Sequence, residues 1–119
     1  MDKRKIDYLF NQNIASDAHN TPRAASNFQQ IQRLGFWNTS EDREIIIDHL
    51  QQVMQTPNNI TQEFTKTFRD RTGIVKEAKI EVRESLLAGR SGKFAKVKSS
   101  WEIMTDGTRR FVSAEFYGS

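Results

Sequence analysis

The chain has 119 residues, of which 36% are hydrophobic, including eight Phe and two Trp; this is enough for one small domain with a real core and too apolar for a disordered tail. It has no Cys, which excludes disulfides, thiolate chemistry and a Cys-ligated zinc, and its two His stand far apart in sequence. The net charge of +3 is unevenly spread: residues 1–65 hold six basic and eight acidic groups, residues 66–110 twelve basic and six acidic.

That surplus in the second half favours a polyanionic partner, nucleic acid first, although Lys and Arg that merely solubilise strands would look the same. No apolar run approaches the roughly 18 residues of a membrane helix. MDKRKIDYLF carries no apolar stretch of signal-peptide length after its basic residues.

Taken in order, residues 3–12 read as a short helix with Ile6, Leu9 and Phe10 on one face. Asn11 to Asn20 is polar and irregular. Thr21-Pro22 opens a second helix that runs to Leu34 and closes at Gly35. Phe36-Trp37 is expected to plug the core. Thr39 or Ser40 caps a third helix, 40–56, with Glu41, Asp42 and Glu44 in its first turn.

Residues 60–70 fit either period, and their threonines tilt the reading to a strand. Ile74 to Leu87 reads as a strand with Ala78, Ile80 and Val82 inward. Ala88 to Gly92 is a turn. In the stretch from Phe94 onward Ala95, Val97, Trp101 and Ile103 alternate with Lys96, Lys98, Ser100 and Glu102. Asp106-Gly107 then marks a tight turn before Phe111 to Tyr117 returns. The expected fold is α+β: one domain over 1–119, with a helical half, 1–58, packed on a three- to four-stranded antiparallel sheet, 59–119.

No metal motif, P-loop, dinucleotide fingerprint or nucleophile elbow is present, and neither metal nor cofactor is expected. Gly89-Arg90-Ser91-Gly92-Lys93 lacks the length of a phosphate loop and reads as a hairpin turn. His19, just ahead of a helix, suits proton transfer near neutral pH, as it also suits a solvated loop histidine. His49 reads as a packing or surface residue.

Arg83, Ser85, Lys96, Ser100 and Glu115 are expected to gather on the polar sheet face, where groups from three strands surround one phosphate. With His19 they would form a metal-independent ribonuclease site: a base for the 2′-OH, cations for the phosphorane and a donor for the leaving oxygen. Arg23, Lys93, Lys98, Ser100 and Tyr117 are the expected RNA contacts. Tyr8, Phe36 and Trp37 are further stacking candidates, with core packing the competing use for the last two.

KIDYLF near the start, HN-x-x-R at 19–23, RESLLAG at 83–89, SGKFAK at 91–96 and W-E-x-M-x-D-G at 101–107 resemble the C-terminal toxin modules of bacterial polymorphic toxins, including those of contact-dependent growth inhibition exoproteins. Many such modules are ribonucleases of the barnase–colicin–RelE kind. The resemblance implies helices on an antiparallel sheet, tRNA as the usual substrate, delivery on a larger secreted protein into a neighbour's cytoplasm, and a cognate immunity protein. It matches His19, Arg23, Arg83, Ser85 and Lys96. A start at Met1 without the preceding delivery motif is what an excised domain or an orphan cytoplasmic copy would show. The alternative reading is a non-enzymatic nucleic-acid-binding or protein-interaction domain of the same system.

Overall fold

The computed structural model describes residues 3–12 and 20–118. Three helices, α1 (Lys3–Leu9), α2 (Asn20–Arg33) and α3 (Ser40–Gln55), precede a 3-10 turn at Pro57–Asn59 and four strands, β1 (Ile60–Arg69), β2 (Val75–Ala88), β3 (Phe94–Ile103) and β4 (Arg109–Gly118). The strands form one antiparallel sheet in the order β1-β2-β3-β4. This is the expected α+β architecture, and residues 60–69 are indeed a strand. No helix among the described residues is long and apolar enough to cross a membrane.

The helices end where their chemistry says they should. Thr39 caps α3, its hydroxyl accepting the Asp42 N–H at 3.2 Å. At the end of α2, Gly35 takes φ +87°; its N–H bonds the Gln32 carbonyl while the Phe36 N–H bonds the Ile31 carbonyl, a Schellman closure. Two carbonyls left over at that end, those of Arg33 and Leu34, accept from the Ser91 hydroxyl and the Ser91 N–H of the β2–β3 turn. The Gly89–Lys93 turn therefore caps a helix, as a plain structural hairpin does. Its Arg90 pairs with buried Asp42 and lies over the Phe36 ring at 5.5 Å.

Cross-strand partners share a face of the sheet. Trp101, Phe111, Val97, Phe116, Leu87 and Ala95 point at the helices and pack with Ile6, Leu9, Phe10, Ile31, Leu34, Ile46 and Leu50. Of the expected core plug only Phe36 is buried; Trp37 is 61% exposed, because the Schellman turn sends the chain outward after Phe36. Ala78, Ile80 and Val82 are buried as expected, but on the other face, where they form a separate cluster with Val112. A register shift between Ser100 and Trp101 brings Val112 to that cluster.

Candidate functional site on the uncovered sheet face

The sheet has one face under helices and one without them. On the uncovered face the strand registers stack side chains in rows: Gln62, Val82, Ser100 and Ser113; then Glu84, Lys98 and Glu115; then Leu86, Lys96 and Tyr117. Across these rows lies a pocket of about 300 Å³ lined by Arg23, Gln62, Phe64, Val82, Lys98, Ser100, Ser113, Glu115 and Tyr117.

Arg23 comes from α2 rather than from the sheet, and its placement follows from helix geometry. Asn27 lies one turn further along the same helix face. Its side-chain amide donates to the Ala114 carbonyl at 2.9 Å and accepts the Phe116 N–H at 3.0 Å, standing in for the missing neighbour strand along the edge of β4. Residue 115 lies between those two anchors, so Arg23 meets it: Nη2 reaches Glu115 Oε1 at 2.5 Å. The other carboxylate oxygen of Glu115 accepts the Tyr117 hydroxyl proton. That hydrogen bond, with burial and the carboxylate charge, raises the phenol pKa above its ordinary value, so Tyr117 keeps its proton at neutral pH and directs it to Glu115. Lys98, opposite Glu115 in register, pairs with no carboxylate among the described residues. The pocket thus joins a guanidinium, an ammonium, two serine hydroxyls and a phenol around one anchored carboxylate.

The expected site residues separate into groups. Arg23, Lys98, Ser100 and Tyr117, expected as RNA contacts, come together here. Lys96 is on the same face next to Tyr117, with its ammonium 3.5 Å from Glu84. Lys93 lies exposed in the β2–β3 turn, away from the pocket lining. His19 lies outside the described residues.

Arg83 and Ser85 lie on the opposite, helix-covered face and do not join Lys96. Arg83 is 3% exposed. Its guanidinium holds the Val53 carbonyl at 2.8 Å, the Thr56 carbonyl at 2.7 Å, Asn59 Oδ1 at 3.1 Å and Glu81 Oε1 at 2.6 Å. It ties off the end of α3, whose last carbonyls need donors. Burial raises the Glu81 carboxyl pKa, but hydrogen bonds from Arg109 and Arg83, and their charges, outweigh it and hold the group below the ordinary value. Ser85 Oγ lies 2.9 Å from His49 Nε2, in contact with α3. Among the stacking candidates Phe36 is core, and Tyr8 packs against the core.

Sequence reasoning passed over Gln62, Phe64 and Ser113. A firmer strand assignment for 60–69 would have found Phe64, since even-numbered residues of β1 share the face of Ile80 and Val82.

No family model and no curated relative matches the chain. Among solved structures it is similar to a chain of a contact-dependent growth inhibition toxin–immunity protein complex from Klebsiella pneumoniae 342. The TM-score is 0.76 and the identity 29%, over 99% of this chain and 92% of that one. The likeness runs almost end to end through both chains, and it supports a toxin-like module of contact-dependent growth inhibition.

Proposed function

We propose that this chain is a contact-dependent growth inhibition toxin domain that cleaves RNA, tRNA foremost, without a metal, at the pocket on the uncovered sheet face. The observation that carries this reading is the convergence of Arg23, Lys98, Ser100, Ser113, Glu115 and Tyr117, from one helix and two strands, on a single pocket. The chain is similar to a component of a toxin–immunity complex, and this supports delivery into a neighbouring bacterium's cytoplasm and neutralisation by an immunity protein.

The chemistry is attack of a ribose 2′-oxygen on the adjacent phosphorus. The 2′-O–P bond forms, the P–O5′ bond breaks, and the products are a 2′,3′-cyclic phosphate and a free 5′-hydroxyl. Arg23 and Lys98 stabilise the charge that builds on the phosphorane oxygens. Ser100 and Ser113 donate to the same oxygens. Glu115 positions Arg23 and Tyr117; when the substrate is bound the Tyr117 O–H turns from Glu115 to hydrogen-bond the leaving oxygen. His19, which directly precedes α2 in sequence, is proposed as the base for the 2′-OH proton. Lys96 adds charge at the rim. Arg83 and Ser85, on the far face, have no part in this mechanism.

The test is incubation of the purified domain with total bacterial RNA in excess chelator. Discrete fragments ending in 2′,3′-cyclic phosphate are expected, with Lys98→Ala and His19→Ala each slower by about 10²-fold or more. Intact RNA after prolonged incubation with the wild-type protein would dismiss the reading. Full activity in His19→Ala would remove that residue alone.

A further inference from the structure

The edges of the sheet differ. The outer edge of β4 is bonded by Asn27 of α2. β1, the other edge, is exposed along nearly its whole length. On its uncovered-face side β1 carries Phe64, Lys66 and Phe68 at every second position, beside Ile80, Ala78 and Lys76 of β2. Two aromatic rings in a small domain would ordinarily be buried. Here Phe64 is 43% and Phe68 40% exposed. Phe64 is also a wall of the pocket that holds Arg23, Lys98 and Tyr117.

Between the two rings stands one cation, Lys66, which pairs with no carboxylate among the described residues; Lys76, opposite Phe68, pairs with Asp70 at 3.2 Å. Beside them on β2 runs the aliphatic cluster of Ala78, Ile80 and Val82. Two exposed rings on either side of a lysine, beside an apolar cluster that leads to a polar pocket, are complementary to a ligand with flat apolar faces and a negative charge between them. Unpaired nucleotides are such a ligand. A protein partner would match the apolar rings but not the intervening cation unless it also supplied a carboxylate at the same spacing.

We infer that β1 is a stacking platform for single-stranded RNA: unpaired bases flanking the scissile phosphate lie on Phe64 and Phe68, with Lys66 on the backbone between them. The inference rests on the ribonuclease reading and deepens it, because it names the form of RNA the pocket receives. Phe64 and Phe68 are about 13 Å apart along the strand, so they take separate bases, the nearer belonging to a nucleotide next to the pocket. A base inside a duplex has both faces covered by its neighbours and offers the rings nothing. The segment cut is therefore a loop or a tail, not a stem.

The test measures binding of a short, fluorescently labelled 2′-O-methyl oligouridine, which has no free 2′-hydroxyl to attack and stays intact. A 2′-O-methyl duplex of equal length is the comparison. The wild type is expected to prefer the single strand. Phe64→Ala and Phe68→Ala each weaken that binding by roughly 5- to 100-fold and erode the preference. Phe68→Trp retains it, and Phe68→Leu, which keeps apolar bulk without a π-face, does not. A merely structural ring would accept Leu as well as Trp. Unchanged binding in folded Phe64→Ala and Phe68→Ala, with RNA still cleaved by the wild type, overturns the platform and leaves the ribonuclease intact. A wild type that cleaves no RNA removes both.

Discussion

Two arginine–glutamate pairs lie on opposite faces of the same sheet. Arg83 meets Glu81 at 2.6 Å, with side chains 4% and 1% exposed; Arg23 meets Glu115 at 2.5 Å, with side chains 33% and 38% exposed. The pair chemistry is the same and the surroundings are not. The first pair is enclosed, and every direction its guanidinium points in is taken by a carbonyl, an amide oxygen or a carboxylate. The second opens onto a pocket with further donors pointing into it. An enclosed and fully satisfied ion pair ties elements together, whereas a half-exposed one that lines a pocket is open to a ligand.

Removing the two arginines in turn gives the strongest break in this comparison. Arg83→Met strips donors from the end of α3 and leaves the buried Glu81 carboxylate with Arg109 alone, so a loss of about 3–5 kcal/mol in urea unfolding is expected. Whatever fraction stays folded should cut RNA at the wild-type rate. Arg23→Met should cost less than about 1 kcal/mol, as partly exposed pairs do, while kcat falls about 10²- to 10³-fold. If folded Arg83→Met proves as inactive as Arg23→Met, the division between a structural and a functional face is wrong.

A smaller effect is expected at Gly89, where the β2–β3 turn meets the end of α2. A Cβ there would stand 2.4 Å from the Leu34 carbonyl oxygen and 2.6 Å from Leu34 Cβ, neither of which can swing aside. Gly89→Ala should therefore push the β2–β3 turn off the end of α2, disturb the Ser91 caps, and cost about 1–3 kcal/mol. Gly92 has the reverse profile, with open space but φ +82°. A Gly89→Ala protein with an unchanged urea midpoint would mean that the turn does not hold the helix end.

Element order, strand pairing and the apolar face of β3 were legible in the sequence because local periodicity and turn chemistry specify them. The site was legible only in part, and the reason lies in β2. Hydrophobic alternation assigns Ala78, Ile80 and Val82 to the core and Arg83 to the solvent, but the helix-facing phase of this strand is the polar one. Glu81 and Arg83 occupy it because the end of α3 needs donors, and nothing within β2 reports that need. One trace was available: opposite charges two residues apart in a strand share a face and can neutralise each other when buried. The stretches that resemble polymorphic toxins mislead in a related way. RESLLAG and SGKFAK contain Arg83, Gly89 and Ser91, all of which serve the fold, so a match there reports the scaffold. Phe64-Thr-Lys-Thr-Phe68 carried a readable signal, an aromatic–cation alternation, that helix–strand ambiguity hid.

The smallest effect belongs to His49, which shares the covered face with Arg83 through its contact with Ser85. Burial lowers its pKa below the ordinary 6.5, so the folded protein takes up this proton less readily than the unfolded chain. Its contribution is therefore in place above about pH 6.5 and fades as the pH falls toward the folded-state value. Glu81 acts in the same direction at lower pH. Its lowered pKa gives stability that is present above about 4.5 and disappears as the carboxylate protonates. Acid unfolding should consequently begin in two steps. His49→Gln keeps a polar side chain that can reach Ser85 and has no proton to gain, so the decline in urea midpoint between pH 7 and pH 5 should flatten while the steeper loss below it stays. No histidine occupies the described part of the pocket. If cleavage by the wild type slows over that pH range and His49→Gln removes the slowing, the covered face communicates with the open one, and the two regions are not independent.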